Sequence, residues 1–138
     1  MMSAVLLRIV AVFAFLQFVG HGTMFVKARP THGPAEVAVV HAMRSQAFTF
    51  AWAPRTYWDM YFGYGLEAAF VCLVEAVLFW LLAGAPAGSA ALVQSVAWLF
   101  AAANVAHIVM LVRYFAFPLP IVFDSLIAAG LVASAVMA

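Results

Sequence analysis

Residues 76–95, AVLFWLLAGAPAGSAALVQS, decide the fold. They lie within a longer run, Ala76 to Val112, that carries no formal charge. A membrane span takes about 20 apolar residues, so the run is too long for one. Gly84-Ala85-Pro86-Ala87-Gly88-Ser89 divides it, because clustered glycine and proline mark turns. One apolar helix therefore ends near Ala83 and another begins near Ser89. The pair reads as a helical hairpin that crosses a bilayer twice.

Outward from this hairpin the same signals recur. Pro118 and Pro120 stop the chain and restart it, since proline is tolerated in a first helical turn. Toward the amino terminus, no formal charge occurs between Arg8 and Lys27. A cleaved signal peptide is the competing reading of that start, but the stretch is long. No A-x-A site follows Val19-Gly20-His21-Gly22 either, which favours a retained span. The predicted spans are 4–26, 57–83, 89–115 and 120–138, with both termini on one face. Composition agrees: of 138 residues, 69% are hydrophobic and 8% charged, with a mean hydropathy of +1.13. Soluble domains hold about 45–50% apolar and about 25% charged residues. The fold class expected is all-α: a transmembrane four-helix bundle, with residues 1–138 as one integral membrane domain. A net charge of +1 argues against nucleic acid as a partner, and the lone Cys72 can form neither an internal disulfide nor a thiolate metal site.

The 27–56 connection is the one long loop. Pro34 can open a short, modestly amphipathic helix through about Gln46, with Glu36 in its first turn. Phe48, Phe50 and Trp52 alternate with Thr49 and Ala51, which predicts an extended stretch at the interface, ended by Pro54. Tyr57, Trp58, Tyr61 and Tyr64 continue an aromatic belt at headgroup level. This connection is the expected interfacial cap between helices one and two. Lys27, Arg29, Arg44 and Arg55 lie in or beside it, and Arg113 ends a helix on the same face. The positive-inside rule then puts the connection in the cytoplasm and the termini outside a plasma membrane. Helices three and four carry small residues (Ala97, Ala101, Ala102, Ala103 and Ala106; then Ser125, Ala129, Gly130, Ala133 and Ser134) that read as packing faces.

Ionisable groups inside a bilayer are costly, so each is a functional candidate. Helix one offers Gln17 and His21; helix two offers Asp59, Glu67 and Glu75. Asn104 and His107 lie on helix three and Asp124 on helix four. At about 1.5 Å rise per residue, all but Glu75 fall in the half of the bundle nearest the connection. Arg55, Asp59 and Glu67 share a face of helix two at steps of four, with Glu75 rotated away. The expected site is thus a polar-lined pocket of His21, Arg55, Asp59, Glu67, Asn104, His107 and Asp124. Glu67 is expected to turn into the bundle. Plainer readings stand beside these: His21 at the edge of water, Asp59 as a helix-start acid, Asn104 as an interhelical hydrogen-bonding residue.

No Gly-rich phosphate loop, C-x-x-C or H-E-x-x-H occurs, and Asn104-Val-Ala-His107 lacks the acid of a di-iron motif. A haem b held by His21 and His107 is the weaker cofactor reading; no metal site is expected. Gly20-His21 at the end of helix one, with Arg55-Thr-Tyr-Trp-Asp59-Met-Tyr61-Phe-Gly63-Tyr-Gly65-Leu66, resembles an uncharacterised family of short bacterial membrane proteins. More loosely the chain is similar to the DoxX-like four-helix proteins. The resemblance implies a four-span layout in a bacterial plasma membrane and supplies no mechanism.

Three functions fit these observations. The first is a membrane protein holding a small or lipophilic ligand in the polar pocket. The second is an enzyme acting on a lipophilic substrate, an isomerase or quinone-linked oxidoreductase, with Glu67 as general acid or base and His21 or His107 as partner. The third is a homo-oligomer or structural subunit of a larger membrane complex, which needs only the small-residue faces.

Overall fold

The computed structural model describes residues 2–26 and 29–138, so Lys27 of the basic connection lies outside the described residues. The chain runs α1 Met2–Val26, α2 Pro34–Ser45, β1 Ala47–Phe50, β2 Ala53–Thr56, α3 Tyr57–Ala83, α4 Ala90–Met110 and α5 Pro118–Val136. A short 3-10 turn (Ala87–Ser89) precedes α4 and a π turn (Leu111–Phe115) follows it. Helices α1, α3 and α5, and α4 with its π turn, are each long and apolar enough to cross a membrane. The architecture is an all-α four-helix membrane protein, as the charge-free runs predict.

Local chemistry explains the helix ends. Thr56 N–H donates to Asp59 Oδ2 at 2.8 Å and Asp59 N–H donates to Thr56 Oγ1 at 3.1 Å, a reciprocal cap that starts α3. Gly84 and Pro86 end it, with Gly84 N–H bonded back to the Leu81 carbonyl. The π turn closes through Ala116 N–H to the Leu111 carbonyl at 2.7 Å, with Ala116 left-handed at φ 48°. Phe117 is then extended, as the residue before a proline must be, and Pro118 opens α5.

The described residues form two compact units. One comprises the chain up to Phe18 together with Val71–Ala138; the other is Val19–Phe70. In the first, Leu7, Val10 and Ala14 of α1 meet Phe79 of α3, Ala97 and Ala101 of α4, and Ile127, Leu131 and Ala135 of α5 in one buried cluster. The alanines let helix backbones approach where lipid provides no hydrophobic drive. Gly130 has the same role: a Cβ there would come within 2.5 Å of Val10 Cγ2. Polar ties cross the unit as well. Ser3 Oγ and Ser134 Oγ are 2.8 Å apart, and Gln94 Nε2 donates to the Ala135 carbonyl at 2.9 Å. The small-residue faces need correcting in part. On α5 the buried side carries Asp124, Ile127, Ala128, Leu131, Ser134 and Ala135, whereas Ser125 and Ala129 point outward. On α4, Ala102, Ala103 and Ala106 are likewise exposed.

In the second unit the last turns of α1 pack on the first half of α3. Gly65 is buried beneath Phe25, whose ring a Cβ at that position would overlap, and Phe25 stacks on Tyr61 at 5.3 Å. The connection is not one extended stretch. It is α2 followed by a β-hairpin with Phe50 opposite Ala53 and a two-residue turn at Ala51-Trp52, Ala51 having φ 54°. Pro54 lies inside β2, opposite Thr49. That pair is next to the one closing the turn, so it is of the non-hydrogen-bonded kind and proline's missing N–H costs no ladder bond. Arg44 stacks over Trp58 at 4.1 Å and Phe48 over Tyr57 at 4.8 Å, which ties α2 and the hairpin to the start of α3. Phe50 and Trp52 take no part in this packing and are 54% and 93% exposed.

Candidate functional site

Asp124 sits one and a half turns into α5 on its buried side, beside Ile127 and Ala128. A buried carboxylate is tolerated only when its oxygens are occupied. Gln17 of α1 donates Nε2–H to Oδ1 at 2.8 Å. His107 of α4 brings Nδ1 to 2.8 Å from Oδ2. The ring N–H is not aligned for a hydrogen bond, so Oδ2 has no aligned donor among the described residues. Separation governs the ionic part of such a contact, and at 2.8 Å the two groups are an ion pair whenever the imidazole is protonated. Asn104, one turn before His107 on α4, is buried and uses its Nδ2 on the Phe100 carbonyl. Glu75 of α3 completes the group: half-buried, it lies within electrostatic range of both Asp124 and His107.

Four helices of the first unit therefore each contribute a polar side chain to one cluster. The exposures differ in a useful way: Asp124 is 2% exposed by side chain and His107 48%. The carboxylate is the inner, fixed member and the imidazole the reachable one. At 2.8 Å an unprotonated Nδ1 would set its lone pair against the carboxylate, so a neutral ring carries its proton on Nδ1 and presents Nε2 as an acceptor; a protonated ring presents Nε2–H as a donor. Among the described residues, no three His, Cys, Asp or Glu side chains converge where a metal ion could sit.

Of the residues expected to form the site, His107 and Asp124 belong to this cluster, and Asn104 lies one turn before His107, bonded within its own helix. His21, Arg55, Asp59 and Glu67 belong to the other unit. There Asp59 is the cap of α3, Arg55 Nη1 donates to the Pro54 carbonyl at 2.8 Å, and His21 stacks on Phe25 at 5.0 Å. Glu67 does not turn inward; it is exposed. The buried residues of α3 are Gly65, Ala69, Ala76, Phe79 and Ala83. Glu67 lies about 200° around the helix from Gly65, opposite that face, whereas Glu75 lies about 80° from it on its flank. The signal was available in the small residues of α3, which mark its packing face as they do on α4. Glu75 is thus the member that the depth argument left out, and Gln17 is a candidate of helix one that the expected site did not include.

No family model, curated protein or solved structure matches the chain.

Proposed function

We propose that this small multi-pass membrane protein binds a lipophilic small molecule through His107, in the cluster formed with Gln17, Glu75 and Asp124. One observation carries the reading: a half-exposed imidazole is backed at 2.8 Å by a carboxylate that is itself buried and held by Gln17. The Gln17 bond satisfies one oxygen of a buried carboxylate, as any such group requires, and the second oxygen faces the imidazole and holds its Nδ1 edge toward the interior while half of the side chain stays exposed. The ligand class is apolar in body with one hydrogen-bonding group, such as a carbonyl or hydroxyl, because the helices that carry the cluster expose mostly aliphatic and aromatic side chains.

The Asp–His arrangement favours a second reading, in which His107 is a general base or acid toward that same group and Asp124 orients it. We further place the connection between α1 and α3 on the cytoplasmic side of a plasma membrane, supported by Arg29, Arg44 and Arg55. The test of the main reading is solvent extraction of the purified full chain with mass spectrometry, run beside His107→Phe. A molecule enriched with the wild type and lost from the variant is the expected result. Identical extracts from a folded variant would remove the proposal, and turnover of the extracted molecule would decide for the enzyme.

A further inference from the structure

On the first unit a lateral groove of about 430 Å³ runs between α1 and α3, lined by Ala11, Val12 and Phe15 on one side and Leu73, Val77 and Trp80 on the other. Its walls are wholly apolar side chains. Arg8 stands one turn above Ala11 on α1, with its guanidinium 5.7 Å from the Trp80 ring centroid. The two helices run in opposite senses along the groove. Arg8 and Trp80 therefore mark one end, and Phe15 with Leu73 lies about 10 Å deeper by helical rise.

Arg8 needs an anion. It lies six residues inside α1, it is exposed, and the ion pairs among the described residues involve only His32 with Glu36 and His107 with Asp124. No acidic residue occurs on α1. A guanidinium within a membrane-spanning helix reaches toward the phosphate layer, and Trp80 holds its planar group against the helix pair.

We propose that the groove seats one acyl chain of an anionic phospholipid whose phosphate is bound by Arg8. Groove and cation match the two parts of such a molecule in order, an apolar body inward and a negative group at the outer end.

The test is native mass spectrometry of the full chain equilibrated with equal amounts of phosphatidylglycerol and phosphatidylcholine. The wild type should retain one lipid, with phosphatidylglycerol preferred about fivefold, the effect of one basic residue on an anionic lipid. Arg8→Gln should abolish the preference but still retain a lipid; Arg8→Lys should keep it. Val12→Phe, at an exposed position, should narrow the groove and weaken retention of both lipids. Equal retention of the two lipids by the wild type would overturn the proposal. So would an Arg8→Gln chain that still prefers phosphatidylglycerol, or a lipid-free dimer that Val12→Phe dissociates.

Discussion

His107 Nδ1 lies 2.8 Å from Asp124 Oδ2, across the contact between α4 and α5. Gln17 holds the other oxygen of the same carboxylate from α1. Three helices are thus joined at one buried acid, and only the imidazole end of the chain of contacts is open. Replacing Asp124 with Asn keeps the shape and a partner for Gln17 but removes the charge that orients His107. Binding of the co-purifying molecule should fall about tenfold or more, the scale of losing one charge-assisted contact behind the binding group. Titration of the extracted molecule against both proteins measures it. Helicity by circular dichroism should not change.

Gly130 and Val10 are a second coupled pair. A Cβ at Gly130 would come within 2.5 Å of Val10 Cγ2, deep in the core of the first unit. Gly130→Ala should destabilise by about 1–3 kcal/mol through overpacking. Val10→Ala removes the offending methyl and should recover part of that loss in the double variant. Unfolding midpoints of the four proteins in mixed micelles give the coupling, and strict additivity would rule out the close approach.

Much of this fold is legible in the sequence because membrane spans are written in long runs. The four predicted spans coincide with α1, α3, α4 and α5 to within a few residues, and Pro34 opens α2 where expected. The hairpin is harder to read. Its turn uses Ala51 at φ 54°, where glycine or asparagine would have announced it, and Pro54 imitates a strand breaker while sitting at a site that needs no N–H. The site is legible by residue type but not by register. Depth measured from helix starts assumes that all helices begin at one level. Glu75, eighteen residues into α3, is the acid near Asp124, which is only six residues into α5.

Glu36 gives a pH dependence outside the spans. Its carboxylate accepts backbone N–H bonds from His32 and Thr31, both at 2.6 Å, and faces His32 Nδ1 at 3.1 Å. The His32 backbone bond is the leading reason that its pKa falls below the ordinary 4.5. A folded pKa below the unfolded one means that the contribution is present above pH 4.5 and disappears as pH falls through the folded value. The start of α2 should therefore loosen in acid. Protection of the Thr31 and His32 amides, measured as exchange relative to the intrinsic rate at each pH, should fall as pH drops through the Glu36 range, and Glu36→Gln should remove that acid step.

Trp52 projects from the hairpin tip with 93% of its surface uncovered by protein. An indole is most stable at the headgroup level, so the bilayer is its expected cover. In a variant with Trp58, Trp80 and Trp98 changed to Phe, Trp52 emission should be blue-shifted. A quencher attached near the lipid headgroups should suppress it more than aqueous iodide does. Red-shifted emission open to iodide would place the tip in water.

The sharpest test separates the two glutamates of α3. Glu67 is exposed, opposite the packed face, and one turn beyond Tyr64, itself 66% exposed. Tyr64 belongs to the aromatic belt expected at headgroup level, and a flexible carboxylate one turn beyond it can reach toward water. Glu75 lies two turns further in by about 12 Å of rise, half-buried, and within electrostatic range of His107 and Asp124. Substituting Gln preserves size and hydrogen bonding in both cases and removes only the titratable proton. Glu67→Gln should therefore leave binding through His107 within about twofold, as expected for an exposed charge. Glu75→Gln should weaken it about tenfold, because it removes the one titratable carboxyl of α3 within electrostatic range of His107 and Asp124, where a low-dielectric interior strengthens such coupling. Glu75→Leu gives the stability control: it should fold at least as well as the wild type, since replacing a partly buried acid with an apolar side chain removes a desolvation cost. The reverse pattern, with Glu67→Gln inactive and Glu75→Gln unaffected, would return the site to the first half of α3 and break the assignment to the Gln17–Asp124–His107 cluster.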